Sequence, residues 1–153
     1  MSSPRIIAID PGAVTGWAEF REGRPLRTLE IAGRHSVYEE FIWGTEESWY
    51  IRGDTEVVCE DYIISARTVK VTPQKDPLYI IGWLEGECHR CNIPFTLQTP
   101  SQAKSFATDD KLKYLGWYTP TKDGHANDAS RHLLTYLVNK YPKVGRDLLK
   151  GFL

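Results

Sequence analysis

Two kinds of apolar pattern alternate along the chain. Arg5-Ile-Ile-Ala-Ile9 is a short continuous apolar run, the pattern of a strand covered on both faces. It stops at Asp10-Pro11-Gly12, a turn signature. Gly16-Trp-Ala-Glu-Phe20 resumes as a second strand, which predicts a hairpin. Glu22 to Pro25 reads as the next turn and Leu26 to Ala32 as a third strand. From Val37 to about Ile51 the spacing of Val37, Phe41, Ile42 and Trp49 predicts a helix. Glu56 to Cys59 is a second short buried run, ending in Glu60-Asp61. Ser65 to Pro77 reads as a long loop, and Pro77 to Cys91 as a helix with Tyr79, Ile80, Trp83 and Leu84 on one side. Pro94 to Gln98 fits another parallel-type strand. Short helical pieces follow Pro100, then a loop from Tyr118 to Gly124. The last helix spans about Ala126 to Tyr141, with Ala129, Leu133, Tyr136, Leu137 and Lys140 as its face. Pro142 ends it.

The order β-β-β-α-β-α-β-α predicts an α/β fold, a five-stranded sheet of mixed direction with helices on both faces. No repeat or linker interrupts it, so residues 1–153 are expected to form one domain. Ligand sites in such sheets lie at the carboxyl ends of strands, where strand order reverses. Asp10 and Glu60 both stand at carboxyl ends of predicted buried strands.

Composition narrows the options. A chain of 153 residues that is 41% hydrophobic and 12% aromatic has enough core to fold without disulfides, which excludes a disordered or stapled chain. Its 19 basic and 20 acidic residues give a net charge of −1, which excludes a general basic nucleic-acid binder. An enzyme that clusters acids in its site and bases around it stays open. Cys59, Cys88 and Cys91 are an odd number, too few for a disulfide framework, and point to a reducing compartment. No run approaches the ~18 apolar residues of a membrane span. The strand-like run by Arg5 leaves no room for a signal peptide, so a cytoplasmic protein is expected.

Singly, the acids have bland readings. Asp10 suits a turn before Pro-Gly, Glu60 the polar end of a strand, and Asp128 the first turn of a helix. Together they say more: two end adjacent strands and the third opens the final helix. Converging like charges at about 4 Å would repel by roughly 4 kcal/mol per pair at an effective dielectric near 20. A bound cation or protonation relieves this, and oxygen ligands favour Mg²⁺ or Mn²⁺. His125 precedes Asp128 by three, and Arg131 and His132 follow it by three and four, so these side chains share one helix face.

Asp10-Pro-Gly-Ala-Val-Thr-Gly-Trp17, Val58-Cys-Glu60 and His125-Ala-Asn-Asp128-Ala129 resemble the motifs of RuvC-type Holliday junction resolvases, in the RNase H-like nuclease superfamily. The resemblance runs from Arg5 to about Tyr141, in the family's order. It implies an RNase H-like fold and a metal-binding catalytic set of Asp10, Glu60, His125 and Asp128, with Mg²⁺ or Mn²⁺, two ions per site. It implies hydrolysis of branched DNA to 5′-phosphate and 3′-hydroxyl ends, with Asp10 bridging both ions and His125 assisting. A homodimer follows for paired cuts, with Gly82 and Gly86 at its interface or in internal packing. The 65–77 loop departs from the bacterial housekeeping members, with Tyr62 and Ile63 the nearest counterparts of their junction-contacting residues. A phage-type member, working in the host cytoplasm, fits that departure.

Bases around the site are candidate phosphate contacts: Arg67, Lys70 and Lys75 in the loop, with Lys104, Lys111, Lys113 and Arg131. From Asn139 to Lys150 the chain carries Lys140, Lys143, Arg146 and Lys150 against Asp147, so a basic tail is expected over about 142–153. Cys88-His-Arg-Cys91 has no second pair at zinc-finger spacing, so two core cysteines are expected. Three rival readings remain. One is an actin-like ATPase lobe, for which the chain is short. Another is a non-catalytic DNA-structure binder, which has no reason to keep three converging acids. The third is a nuclease for flaps, forks or RNA–DNA hybrids, which the residues do not separate from a resolvase.

Overall fold

The computed structural model describes residues 3–43, 54–64 and 75–152. Strands β1 (Arg5–Asp10), β2 (Val14–Phe20) and β3 (Arg27–Ala32) are followed by helix α1 (Arg34–Ile42), β4 (Thr55–Glu60), α2 (Asp76–Arg90) and β5 (Phe95–Gln98). Helices α3 (Pro100–Phe106), α4 (Asp109–Leu115), α5 (His125–Lys140) and α6 (Pro142–Leu148) complete the order. The sheet runs β3-β2-β1-β4-β5. β1 pairs antiparallel with β2, as Ile9 opposite Trp17, and parallel with β4, as Ile9 opposite Cys59. β4 pairs parallel with β5, ending with Glu60 opposite Gln98. The expected mixed five-stranded sheet is therefore present.

The period of two in a strand explains why β1 reads as unbroken apolar sequence. Ile6 and Ala8 face a core made with Ala129, Leu133 and Leu137 of α5. Ile7 and Ile9 face the opposite core, made with Phe41 of α1 and Ile80 and Leu84 of α2. Each of these side chains is at most 2% exposed. Burial of each large aliphatic side chain contributes roughly 1.5–3 kcal/mol.

Several boundaries differ from the sequence reading. Helix α1 begins at Arg34, after Gly33 at φ 85°, and closes at Ile42 with an exposed Trp43 as its cap. Trp49 and Ile51, expected on that helix, lie outside the described residues, as do Arg67, Lys70 and most of the 65–77 loop. Residues 142–148 are not an open tail but helix α6, with Val144 and Gly145 buried. Close packing on α5 explains this, since a Cβ on Gly145 would lie 2.7 Å from Val138 Cγ2. Of the two cysteines expected in the core, Cys88 is buried but Cys91 caps the end of α2 and is exposed. Gly82 and Gly86 sit on the outer side of α2 with open space around them, so they do not serve internal packing. Among the described residues no helix is long and apolar enough to cross a membrane.

Candidate active site

β1 and β4 are adjacent and parallel, so their carboxyl ends, Asp10 and Glu60, emerge side by side. Helix α5 lies across them and starts at the same end of the sheet. Its start is held firmly. Gly124 adopts φ 71°, and the Ala126 N–H donates to Glu30 Oε2 of β3 at 2.9 Å. Thr121 Oγ1 donates to the same oxygen at 3.2 Å and accepts from Gly124 N–H at 3.1 Å. The Asn127 amide closes the preceding loop, accepting from Thr119 N–H at 2.8 Å and donating to its carbonyl at 2.7 Å. The helix passes so close to β2 that a Cβ on Gly16 would stand 1.9 Å from the His125 carbonyl oxygen. Glycine at 16 is required by this approach.

Of the four residues expected at the site, His125 and Glu60 each meet Asp10, and Asp128 lies near enough to act on it by charge. His125 Nδ1 lies 3.2 Å from Asp10 Oδ2. The Asp10 carboxyl is 5% exposed and pushed up to about 9, by burial first, then by the charges of Glu60 and Asp128. Lys104, on α3, opposes that shift. Burial also works against ionisation of Glu60, but hydrogen bonds from His132 and Asp10 hold its carboxylate below its usual range. The crowding therefore falls on Asp10, whose charged form burial and its acid neighbours disfavour, while the donors to Glu60 favour the charged form there. Asp128 is turned towards Arg131, whose Nε is 3.3 Å from Asp128 Oδ1.

Each acid is thus tied to a protein group. Among the described residues, no three histidine, cysteine, aspartate or glutamate side chains form a ready metal-ligand cluster. The donor chemistry is still that of a hard cation, because oxygen ligands predominate and a cation would offset the charge crowding on Asp10.

An open cleft of about 450 Å³ adjoins Asp128, lined also by Lys104, Thr108, Asp109, Asp110 and Arg131. Lys104 is exposed at its edge. The Arg131 guanidinium also bonds the Ala107 carbonyl at 2.9 Å and Asp109. Lys111 caps the Phe106 carbonyl at 2.8 Å, and Lys113 lies 4.9 Å from the centre of the Tyr118 ring. Lys75 is exposed at the start of α2. Ile63 and Ile64, which follow Glu60 on the chain, are 50% and 64% exposed.

Two residues at the site carried no role in the sequence reading. His132 is 1% exposed and its Nε2 lies 2.9 Å from Glu60 Oε1. Gln98, at the end of β5, reaches His132 from the other side. The signal for His132 was its position four residues after Asp128; Gln98 had none.

No family model and no curated protein matches the chain. Solved structures do. RuvC from T. thermophilus in complex with Holliday junction substrate superposes with a TM-score of 0.61 at 15% identity, over 93% of this chain and 96% of that one. A Thermus thermophilus RuvC structure superposes with a TM-score of 0.55 at 17% identity, over 92% and 96%. The chain thus has the RNase H-like fold in its RuvC arrangement. At such identity the likeness speaks for the architecture, and the residues must speak for the chemistry.

Proposed function

We propose that this protein is a divalent-metal-dependent endonuclease that cleaves phosphodiester bonds in branched DNA, in the manner of a Holliday junction resolvase. The observation that carries this reading is the buried Asp10 carboxyl, crowded by Glu60 and Asp128 at the carboxyl ends of the two central strands. An acid so placed destabilises the fold when ionised alone, and a divalent cation is the ligand that turns this cost into binding.

Asp10, Glu60 and Asp128 would hold Mg²⁺ or Mn²⁺, two ions per site, with His125 assisting from beside Asp10. Bound there, the ions supply an activated water and stabilise the leaving 3′ oxygen. The chain's own residues do the rest. Asp128 would leave Arg131 for the ion, and the guanidinium, still held by the Ala107 carbonyl and Asp109, would turn its released Nε edge to phosphate. Lys104 offsets the negative charge of the site when DNA approaches. Lys75, Lys111, Lys113 and the bases of the 65–77 loop, Arg67 and Lys70, extend the phosphate track.

RuvC, a neighbour in fold, has been captured with Holliday junction substrate, and this supports branched DNA as the partner. Paired cuts across a junction need two sites related by a two-fold axis. The open Gly82 and Gly86 face of α2, beside the 49% exposed Tyr79, suits such a contact. A cytoplasmic setting agrees with three free cysteines. The likeness in fold gives a phage source no support.

The test is a panel of labelled four-way junction, fork, flap, linear duplex and RNA–DNA hybrid, offered to the full chain. With Mg²⁺ or Mn²⁺ the junction should receive paired symmetric cuts, and Ca²⁺ should support binding with little turnover. Undiminished cutting in EDTA would overturn the metal reading. A preference for flap or hybrid would replace the resolvase with a different nuclease of the same fold. Light scattering on Gly86→Leu should show a monomer that nicks without paired incision.

A further inference from the structure

The buried histidine beside Glu60 is not among the acids and His125 of the proposed chemistry, yet its surroundings determine its state. Gln98 Nε2 lies 2.9 Å from the main-chain carbonyl oxygen of His132 and 3.1 Å from the Nδ1 of the same residue. A carbonyl oxygen only accepts, so the group facing it must be the amide NH₂ of Gln98. That same NH₂ then points at Nδ1, which must accept and therefore carries no hydrogen. The ring hydrogen sits on Nε2, and Nε2 faces Glu60 Oε1 at 2.9 Å. Three groups are thus set in order by one fixed carbonyl: the amide orientation, the ring tautomer and the donor to the carboxylate.

The scaffold makes this order rigid. Gln98 is 7% exposed and lies opposite Glu60 in the β4–β5 register, and its own carbonyl accepts from the Asp61 N–H at 2.8 Å. His132 is held one turn beyond Asp128 on α5 by the packing of Leu133 and Leu134, both fully buried.

We infer that His132, with its tautomer set by Gln98, is a positioning residue that clamps one oxygen of Glu60 so that the other is presented to the metal. This rests on the functional reading above. It assigns to a buried Gln–His pair the task of holding a metal-binding carboxylate in one orientation. Outer partners of this kind typically change metal affinity or activity by about 10–100-fold when removed.

The experiment has two readouts that need no cleavage. In the ¹⁵N-histidine-labelled protein, the long-range imidazole spectrum of His132 should show the Nε2–H tautomer. In Gln98→Met, which removes the amide, that preference should weaken. Mn²⁺ titration followed by electron paramagnetic resonance should show about tenfold weaker binding in His132→Leu. His132→Gln, whose amide can still donate to Glu60, should recover most of the loss. An Nδ1–H tautomer in the wild-type protein overturns the inference, as does unchanged Mn²⁺ affinity in a folded His132→Leu. Should His132→Leu fail to fold, Gln98→Met carries the test, with severalfold weaker Mn²⁺ binding expected and unchanged binding overturning it. A wild-type protein that cuts no DNA would defeat the nuclease reading while the tautomer and Mn²⁺ data still decide this one.

Discussion

Glu56 and Glu60 lie on the same strand, one turned to structure and the other to chemistry. Glu56 accepts hydrogen bonds from Tyr136 at 2.6 Å, Tyr141 at 2.7 Å and Lys140 at 2.9 Å. Burial opposes its ionisation, but those donors outweigh burial and hold the carboxylate below its ordinary range. It pins β4 to the last turn of α5 and to the residue that caps it. Glu60 also has a good donor, His132, and is likewise held below its ordinary range, but it faces the buried Asp10 carboxyl, which burial, Glu60 and Asp128 all push up. A carboxylate surrounded by donors stabilises the fold. A buried carboxyl that faces other carboxylates, as Asp10 does, leaves a repulsion that a cation can relieve, and this difference marks the candidate site more clearly than residue type.

The largest effects should separate the two ends. Glu60→Gln or Asp10→Asn should each lower cleavage about a thousandfold or more, since the ions they hold supply several kcal/mol in the transition state. Neither should unfold the protein. Asp10→Asn should gain stability relative to the wild type as pH rises. The folded carboxyl sits at about 9 against an ordinary 3.8, so the contribution of this group to wild-type stability is full below about pH 4 and falls as pH climbs towards 9. Asn removes that fall. Urea melts at several pH values without metal check this, and parallel wild-type and variant curves would refute it. Added Mg²⁺ should recover stability in the wild-type protein alone.

Gly16→Ala should come next and strike both ends at once. Its Cβ has no room beside the His125 carbonyl, so α5 must shift, at a cost of about 3 kcal/mol with reduced cleavage. A thermal melt close to wild type would show that the contact yields easily.

Glu56→Gln is the mirror of Glu60→Gln. It should cost about 1–3 kcal/mol near neutral pH and leave cleavage per folded molecule unchanged. The lowered folded value means that the stabilisation is present above 4.5 and is lost as pH falls through that lowered value. The gap between variant and wild type should therefore close in acid. Smallest of all is Asp61→Asn, one residue beyond the site on the chain, expected within about 0.5 kcal/mol of wild type with cleavage nearly intact.

Much of this was legible in the chain. The two-sided burial of β1, the hairpin at Asp10-Pro11-Gly12 and the face of α5 all follow from an unbroken apolar run, a turn signature and a period of 3.6, which are local properties. The placement of Asp10 and Glu60 at strand ends is local too, because a charged residue closing an apolar run marks where burial stops. Boundaries were less legible. Trp49 extended the apparent period of α1, although the helix closes at Ile42 with Trp43 as its cap. The basic residues after Pro142 suggested a tail, because Val144 and Gly145 say little until α5 is placed beneath them.

By itself, then, the sequence determined the order of elements, the two-sided core and which acids end which strands. Only the tertiary structure decided what those acids touch. Glu60 meets His132 across 72 residues, and Gln98 meets His132 across 34. Asp128 bonds Arg131 at the edge of the open cleft, and Gly16 is dictated by a carbonyl on another element. Periodicity tells which face of an element is apolar, but not the depth or rotation at which two faces lock. Hydrogen bonds between distant side chains hold only within a few tenths of an ångström, a tolerance set by packing.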